Sequence, residues 1–208
     1  MQPRIPPAPL RELGPLAWVV SRAAGLVTFG DPPRIFTTLG QNRRLFRSWI
    51  PFAATMLFRT RLERADVELV VLRTACNCSC SYEWVQHVAL ATKAGLSPGA
   101  IASVSRWSED GSFTHRQRVL LAATDELHGE KVVKQANWER LTALFDRNEL
   151  MELCMLVGHY EMLAMTLNSL GVQPEPGILD SLDVGARATA EQLRGALDLA
   201  QIGVSGSV

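Results

Sequence analysis

Residues 66–96, DVELVVLRTACNCSCSYEWVQHVALATKAGL, decide how this chain is read. The segment holds three of the four cysteines, together with Glu68, Glu83, His87, Tyr82 and Trp84. Ala65–Ala75 and Cys80–Ala94 both carry apolar residues at helical spacing, and Gly95 supplies the C-terminal stop. Between them CNCSC is a poor helix interior, because Asn and Ser side chains compete for the backbone's hydrogen bonds. The pattern predicts a helix–turn–helix with Cys80 near the N-terminus of the second helix. Residues three, four and seven apart share a helical face, so Cys80, Glu83 and His87 line one stripe. The Glu83–His87 spacing is that of an i,i+4 hydrogen bond. Glu68 precedes Cys80 by twelve residues and sits in the apolar run ELVVL, which predicts a half-buried carboxylate that needs a partner.

Helical patterns continue on both sides. Met1–Pro9 is proline-rich and expected to run extended over the surface. A helix is expected over Leu16–Leu26, ending near Gly30, and a short one over Ile35–Leu39. Asn42 is placed to cap a longer helix carrying Leu45, Phe46, Trp49, Ile50, Ala53, Met56 and Leu57, with a kink at Pro51. Ser97-Pro98 opens a short helix, and SRWSEDGS reads as a loop. Thr114 to Gln117 has the capping-box pattern, opening a helix to about Gly129. Asn137 is read as the cap of a helix through Phe145. The apolar segment Glu149–Leu170 closes at Gly171. Ser181–Gln201 is a last helix before a frayed GVSGSV. Strand-like alternation is scarce, so the fold class is all-α.

Composition narrows the function classes. Hydrophobic residues make up 47% of the 208 and charged residues 20%, the balance of a soluble globular chain. Lys plus Arg (21) equal Asp plus Glu (21), so nothing recommends nucleic acid or an anionic membrane as a partner. The run Leu16–Val20 is too short to span a membrane, and the Pro-rich start is unlike a signal peptide, so a cytoplasmic location is expected. In a reducing cytosol the cysteines point to chemistry, a metal or packing rather than to a disulfide framework.

Each candidate has a plain structural alternative. Cys76 and Cys154 read as small buried hydrophobes. Tyr82 and Trp84 read as packing residues, although the Tyr82 hydroxyl could reach a pocket. His115 and His128 fall at helix ends and read as solvated. His159, on the apolar helix beside Tyr160, reads as a hydrogen-bonded core residue. Cys76, Cys78, Cys80 and His87 can be counted as four soft metal ligands. However, C-x-C-x-C lacks the C-x-x-C knuckle of ordinary zinc sites, so no metal is expected. A thiol reading takes Cys80 as a helix-stabilised thiolate and Cys78 as its resolving partner, against the opposing charge of Glu83.

The stretch ELVVLRTACNCSCSYEWVQHVALATKAGL resembles the signature of the carboxymuconolactone decarboxylase and alkylhydroperoxidase-D-like superfamily. The later helices from Leu120 to Val172, the RIPP opening and the segment from Pro33 to Arg61 resemble it as well. The resemblance implies an alkylhydroperoxidase-D-like helical bundle with an extended N-terminal segment and an extra C-terminal helix. It divides the chain into a wrapping extension (1–32), the family domain (33–173) and a helical tail (174–208). It also implies self-association as a dimer, trimer or hexamer. In the peroxidase branch the motif is Glu, eleven residues, Cys, two residues, Cys, three residues, His. Glu68, Cys80 and His87 match it, while Glu83 stands where the second cysteine belongs. The decarboxylase branch works by acid–base chemistry on a small carbonyl or lactone acid, without a cofactor. The expectation is therefore an acid–base site at Glu68, Cys80, Glu83 and His87, with Cys78, Tyr82, Trp84 and His159 as possible pocket or second-thiol residues. Arg73 is the nearest residue to hold a substrate carboxylate. The alternatives are a thiol-dependent hydroperoxide reductase using Cys80 and a non-catalytic scaffold or interaction protein.

Overall fold

In the computed structural model residues 2–27, 31–109 and 111–201 are described, and every regular element among them is helical. In chain order these are α1 (Pro15–Val27), α2 (Arg34–Leu39), α3 (Arg43–Phe58), α4 (Arg64–Asn77) and α5 (Ser81–Lys93). They are followed by α6 (Pro98–Ser103), α7 (His115–Glu130), α8 (Gln135–Thr142), α9 (Arg147–Leu170) and α10 (Val184–Gln201). Short 3-10 turns occupy Leu10–Glu12, Val104–Glu109 and Ile178–Ser181. The chain is all-α. The expected stop at Gly30 and the frayed end from Gly203 lie outside the described residues, as does Asp110 within SRWSEDGS.

Local chemistry sets most boundaries. The Asn42 side chain accepts from the Leu45 amide at 3.1 Å and starts α3, which runs unbroken through the exposed Pro51. Thr114 with Gln117, and Asp146 with Glu149, form capping boxes that open α7 and α9. Gly171, at φ +69°, closes α9 in the left-handed conformation. Two expectations are corrected. Asn137 is not a cap, because α8 starts two residues earlier and its first turn brings the Asn137 amide inward to Glu126 at 3.2 Å. Much of SRWSEDGS is a 3-10 turn held by Arg73, which donates to the carbonyls of Val104 and Ser105 at 3.1 and 2.9 Å.

α4 is the axis of the molecule. Every residue from Asp66 to Leu72 is buried, so the helix is enclosed on all sides, with α5, α7 and α9 against it. One apolar cluster joins α4 to α7 and α9 through Val67, Val70, Leu120, Leu156 and Leu163. A second joins α4 to α5, α6 and α10 through Leu69, Leu72, Trp84, Ile101 and Ala190. A buried polar group needs a partner, and Asp66 finds it in Arg116 Nε at 2.8 Å. α9 has the length and apolarity of a membrane-crossing helix, yet half of that window is buried against the rest of the protein, as in a core helix.

The first and last described segments pack on this core. The amides of Arg4 and Ile5 donate to the Leu170 carbonyl at 2.8 and 3.3 Å, laying the N-terminal strap across the end of α9. α10 lies on α5 and α6, where the Trp84 indole donates to the Ala186 carbonyl at 2.9 Å. A β-carbon on Gly185 would stand 2.6 Å from that of Ala102, so only glycine permits this approach. Glu175 ties three segments together. It accepts from the Arg34 amide at 2.7 Å, from the Tyr82 hydroxyl at 3.0 Å and from the Gln86 side-chain amide. Tyr82→Phe leaves both Glu175 and the Ile35 amide short of a buried partner. It should cost about 1–3 kcal/mol in urea denaturation, whereas an unchanged midpoint would contradict this anchoring role.

Candidate functional site

The turn that delivers the site is a Schellman motif. Cys78 ends α4, Ser79 takes φ +50°, the Cys80 amide donates to the Ala75 carbonyl at 2.9 Å and the Ser79 amide to Cys76 at 3.1 Å. Glycine usually fills the left-handed position, and a serine there accepts steric strain to reverse the chain in one residue. Cys80 is the N-cap of α5, so α5 returns antiparallel along α4 and its inner face meets that of α4.

At that meeting stands Glu68, with 0% exposure. Its Oε1 accepts from Arg64, one turn earlier on α4, and its Oε2 lies 2.7 Å from His87 Nδ1. An ionised carboxylate only accepts, so Nδ1 carries the proton and Nε2 is left as the ring's open nitrogen. The ring packs edge-on against Tyr160, with centroids 5.1 Å apart. Burial first, and then the neighbouring Glu68 and Glu83 carboxyl groups, push the Tyr160 phenol well above its ordinary value. Tyr160 therefore lies in the field of both carboxyl groups.

Glu83 behaves differently. The expected Glu83–His87 hydrogen bond is not made: both Glu83 oxygens are buried without a hydrogen-bond partner, and His87 has turned to Glu68 instead. Burial alone pushes the Glu83 carboxyl well above the ordinary glutamate value of 4.5, which favours its protonated form. Cys80 has 0% exposure, and its thiol is pushed well above 9.0 by burial and then by Glu83. The backbone amides of Glu83 and Tyr82 at the start of α5 act the other way, without overcoming burial.

The remaining sequence candidates separate from this cluster. Tyr82 and Trp84 do not line it, because their polar atoms are bound to Glu175 and Ala186 in the tail. Arg73 is no substrate anchor. It is paired with Asp125 at 2.6 and 3.0 Å and holds the Val104–Glu109 turn. His159 lies one residue before Tyr160 with its ring between Trp49 and Phe52, and its buried Nδ1 is unpartnered rather than hydrogen-bonded. Burial, followed by the proximity of His87, lowers it to about 4. Cys76 packs into the α5 and α10 side of the core, and burial raises its thiol to about 12. The open groove lined by Trp138, Phe145, Met151, Cys154 and Met155 lies on α8 and α9, and no member of the Glu68–His87 cluster lines it.

Sequence reasoning missed Arg64 and Tyr160. Arg64 was visible as the i,i+4 partner of Glu68; Tyr160 came from a helix distant in sequence and carried no local signal. It also misplaced His128, which is not merely solvated: its Nδ1 is 2.7 Å from Glu161 Oε1. The four soft ligands counted in the sequence do not gather. Among the described residues, the group of three ligating side chains whose donor atoms all lie within 4.8 Å of one another is Cys78, His128 and Glu161.

Known proteins agree with this architecture. The sequence model of the carboxymuconolactone decarboxylase family matches residues 43–126, which span α3, the α4–α5 hairpin and most of α7. A peroxidase-related protein with an alkylhydroperoxidase core from Ralstonia eutropha JMP134 superposes with a TM-score of 0.77 at 19% identity, covering 85% of this chain and 94% of that one. A peroxidase-related protein from Silicibacter sp. TM1040 gives 0.75 at 15% identity, covering 86% and 96%. A cysteine-to-alanine variant of the debrominase Bmp8, in complex with 2,3,4-tribromopyrrole, gives 0.73 at 13% identity, covering 93% and 98%. No curated protein matches the chain in sequence. Residues 43–126 thus carry the sequence pattern of the carboxymuconolactone decarboxylase family, and the fold as a whole is that of the alkylhydroperoxidase-like helical proteins.

The neutral state of Glu83 has a thermodynamic consequence. A carboxyl whose folded value is raised contributes stability below its unfolded value and loses it as pH rises towards the folded value. Wild type should therefore lose stability between about pH 5 and about pH 8 in a component that Glu83→Gln lacks. Denaturant titrations of both proteins at the two pH values measure it, and parallel pH dependences would contradict a neutral Glu83.

Proposed function

We propose that the protein is an enzyme performing cofactor-free acid–base chemistry, decarboxylation or isomerisation, on a small carbonyl or lactone acid. The observation that carries this reading is the contrast between two buried carboxyl groups on one hairpin, Glu68 hydrogen-bonded to the His87 imidazole and Glu83 without a partner. Glu68 is a charge partner that orients His87, and Glu83 is a buried neutral acid. Groups whose surroundings push their protonation apart are suited to separate acid and base roles. In a decarboxylation the bond to the departing carboxylate breaks, its electron pair enters the conjugated enolate, and a proton is delivered to carbon as carbon dioxide leaves. Glu83 is the proton donor and His87 Nε2 the group that exchanges the proton. Glu68 fixes the tautomer, and the partly exposed Arg64 ties Glu68 towards the surface, where a substrate carboxylate could reach it. The debrominase complex with a small bromopyrrole supports a small ring compound as the type of ligand this fold admits.

A thiol-dependent hydroperoxide reductase is the second reading. It is favoured by the place of Cys80 at the N-terminus of α5 and opposed by the burial of that thiol and by Glu83 in place of a second cysteine. The test is carbon dioxide release from β,γ-unsaturated lactone acids alongside hydroperoxide consumption with a dithiol. His87→Ala should lower the first by about 10²–10⁴-fold, and Cys80→Ser should leave it within a few-fold. Peroxide turnover that vanishes in Cys80→Ser, with no lactone-acid turnover in wild type, would transfer the site to the thiol reading.

We also propose that two copies associate through α9. Met151, Met155, Met162 and Met165 are exposed and, with the exposed Gly158 between them, form one uncharged stripe at alternating spacings of four and three. The stripe is nearly symmetric about Gly158, so an antiparallel second α9 meets methionine with methionine across a two-fold axis. Met155→Glu combined with Met162→Glu should yield monomers in sedimentation equilibrium, and an unchanged mass would rule this surface out.

A further inference from the structure

Cys78, His128 and Glu161 come from the end of α4, the last turn of α7 and the middle of α9, yet their donor atoms lie within 4.8 Å of one another. His128 Nδ1 is 2.7 Å from Glu161 Oε1 and 3.9 Å from Cys78 Sγ. A proton relay needs the two ring nitrogens to serve different partners, one facing the nucleophile and the other the carboxylate. Here both partners face the same nitrogen, whose single proton can satisfy only one of them. Three lone-pair donors converging on one point suit a cation better than a hydrogen bond. A thiolate, an imidazole and a carboxylate are a donor set that zinc accepts. With metal–ligand bonds of about 2.0–2.3 Å, tetrahedral coordination needs donors about 3.3–3.6 Å apart. The Cys78–His128 separation must close by a few tenths of an ångström and the His128–Glu161 separation must open, both within side-chain adjustment.

The surroundings fit the same occupant. The Cys78 carbonyl accepts from Asn168 Nδ2 at 2.9 Å, which fixes the end of α4 against α9. Lys131 brings its ammonium to 3.6 Å from Glu161 Oε2 and donates to the His128 carbonyl, so a positive charge is already drawn to this corner on a side chain that is 69% exposed. His128 is 37% exposed and Glu161 15%, which leaves a way in from solvent. We propose that Cys78, His128 and Glu161 hold one zinc ion, with the fourth coordination position open to water or a small anionic ligand. The site is separate from the Glu68–His87 pair, and the acid–base chemistry proposed above requires nothing from it.

Cobalt(II) is the probe, because thiolate ligation gives a charge-transfer band and four-coordination gives intense visible transitions. The full-length protein, reduced and stripped of metal, should bind one cobalt per chain with both signatures, and zinc should displace it. Cys78→Ser should remove the charge-transfer band. His128→Asn and Glu161→Gln, each at a partly exposed position, should weaken binding about tenfold or more, with circular dichroism unchanged. Cys76→Ser should leave the spectrum as in wild type. Absence of a stoichiometric complex would overturn the assignment. So would a band that survives Cys78→Ser, or one lost in Cys76→Ser and indifferent to His128→Asn. None of these readouts depends on catalytic turnover.

Discussion

A carboxylate buried in the middle of an apolar helix is the constraint around which this structure is arranged. Glu68 has no access to water, and an ionised group in that position is tolerable only if paired and hydrogen-bonded. Arg64 reaches it along α4 and His87 reaches it from α5, so both oxygens are engaged. The second contact requires α5 to lie antiparallel against α4, which in turn requires the chain to reverse at Ser79 with a residue in the left-handed conformation. The turn, the helix pair and the orientation of the imidazole are consequences of placing one charge inside the core.

The α4–α5 hairpin shows what a sequence can disclose. Helical spacing, the unfitness of CNCSC for a helix interior and the apolar run around Glu68 were enough to predict two helices meeting with a carboxylate and an imidazole between them. The capping boxes at Thr114 and Asp146 and the left-handed Gly171 are equally local, and the Thr114 box and the Gly171 stop were legible for that reason. The failures involve contacts between distant segments. An i,i+4 spacing made Glu83 the obvious partner of His87, but Glu68 competed from the neighbouring helix and won. Tyr82 and Trp84 looked available to a pocket because nothing nearby in sequence announces that Glu175 and Ala186 will cover them. Asn137 has the chemistry of a cap, yet α8 begins earlier and uses it as an inward-facing donor. His128 looked solvated because Glu161 is 33 residues away.

A glutamate at position 83 sets the electrostatics of the whole cluster. A thiolate at Cys80 would gain from the amides at the start of α5, but it would have to form in a dry site beside another acid. Burial disfavours both anions, so each group retains its proton. The ion pair of the cluster is that of Glu68 with Arg64, and Glu83 is left without a hydrogen-bond partner. The hairpin combines an imidazole oriented by one carboxylate with a second, unpartnered carboxyl, which is the physical content of the proposed acid–base reading.

Infrared difference spectroscopy tests that content most directly, because a protonated carboxylic acid in an apolar site has a carbonyl stretch distinct from that of a carboxylate. Spectra of wild type and Glu83→Gln at neutral pH should differ by one acid carbonyl band, present in wild type and missing in the variant, that shifts on exchange into heavy water. A wild-type spectrum without this band, or one that Glu83→Gln leaves unchanged, would mean that Glu83 is ionised and that the site lacks its proton donor.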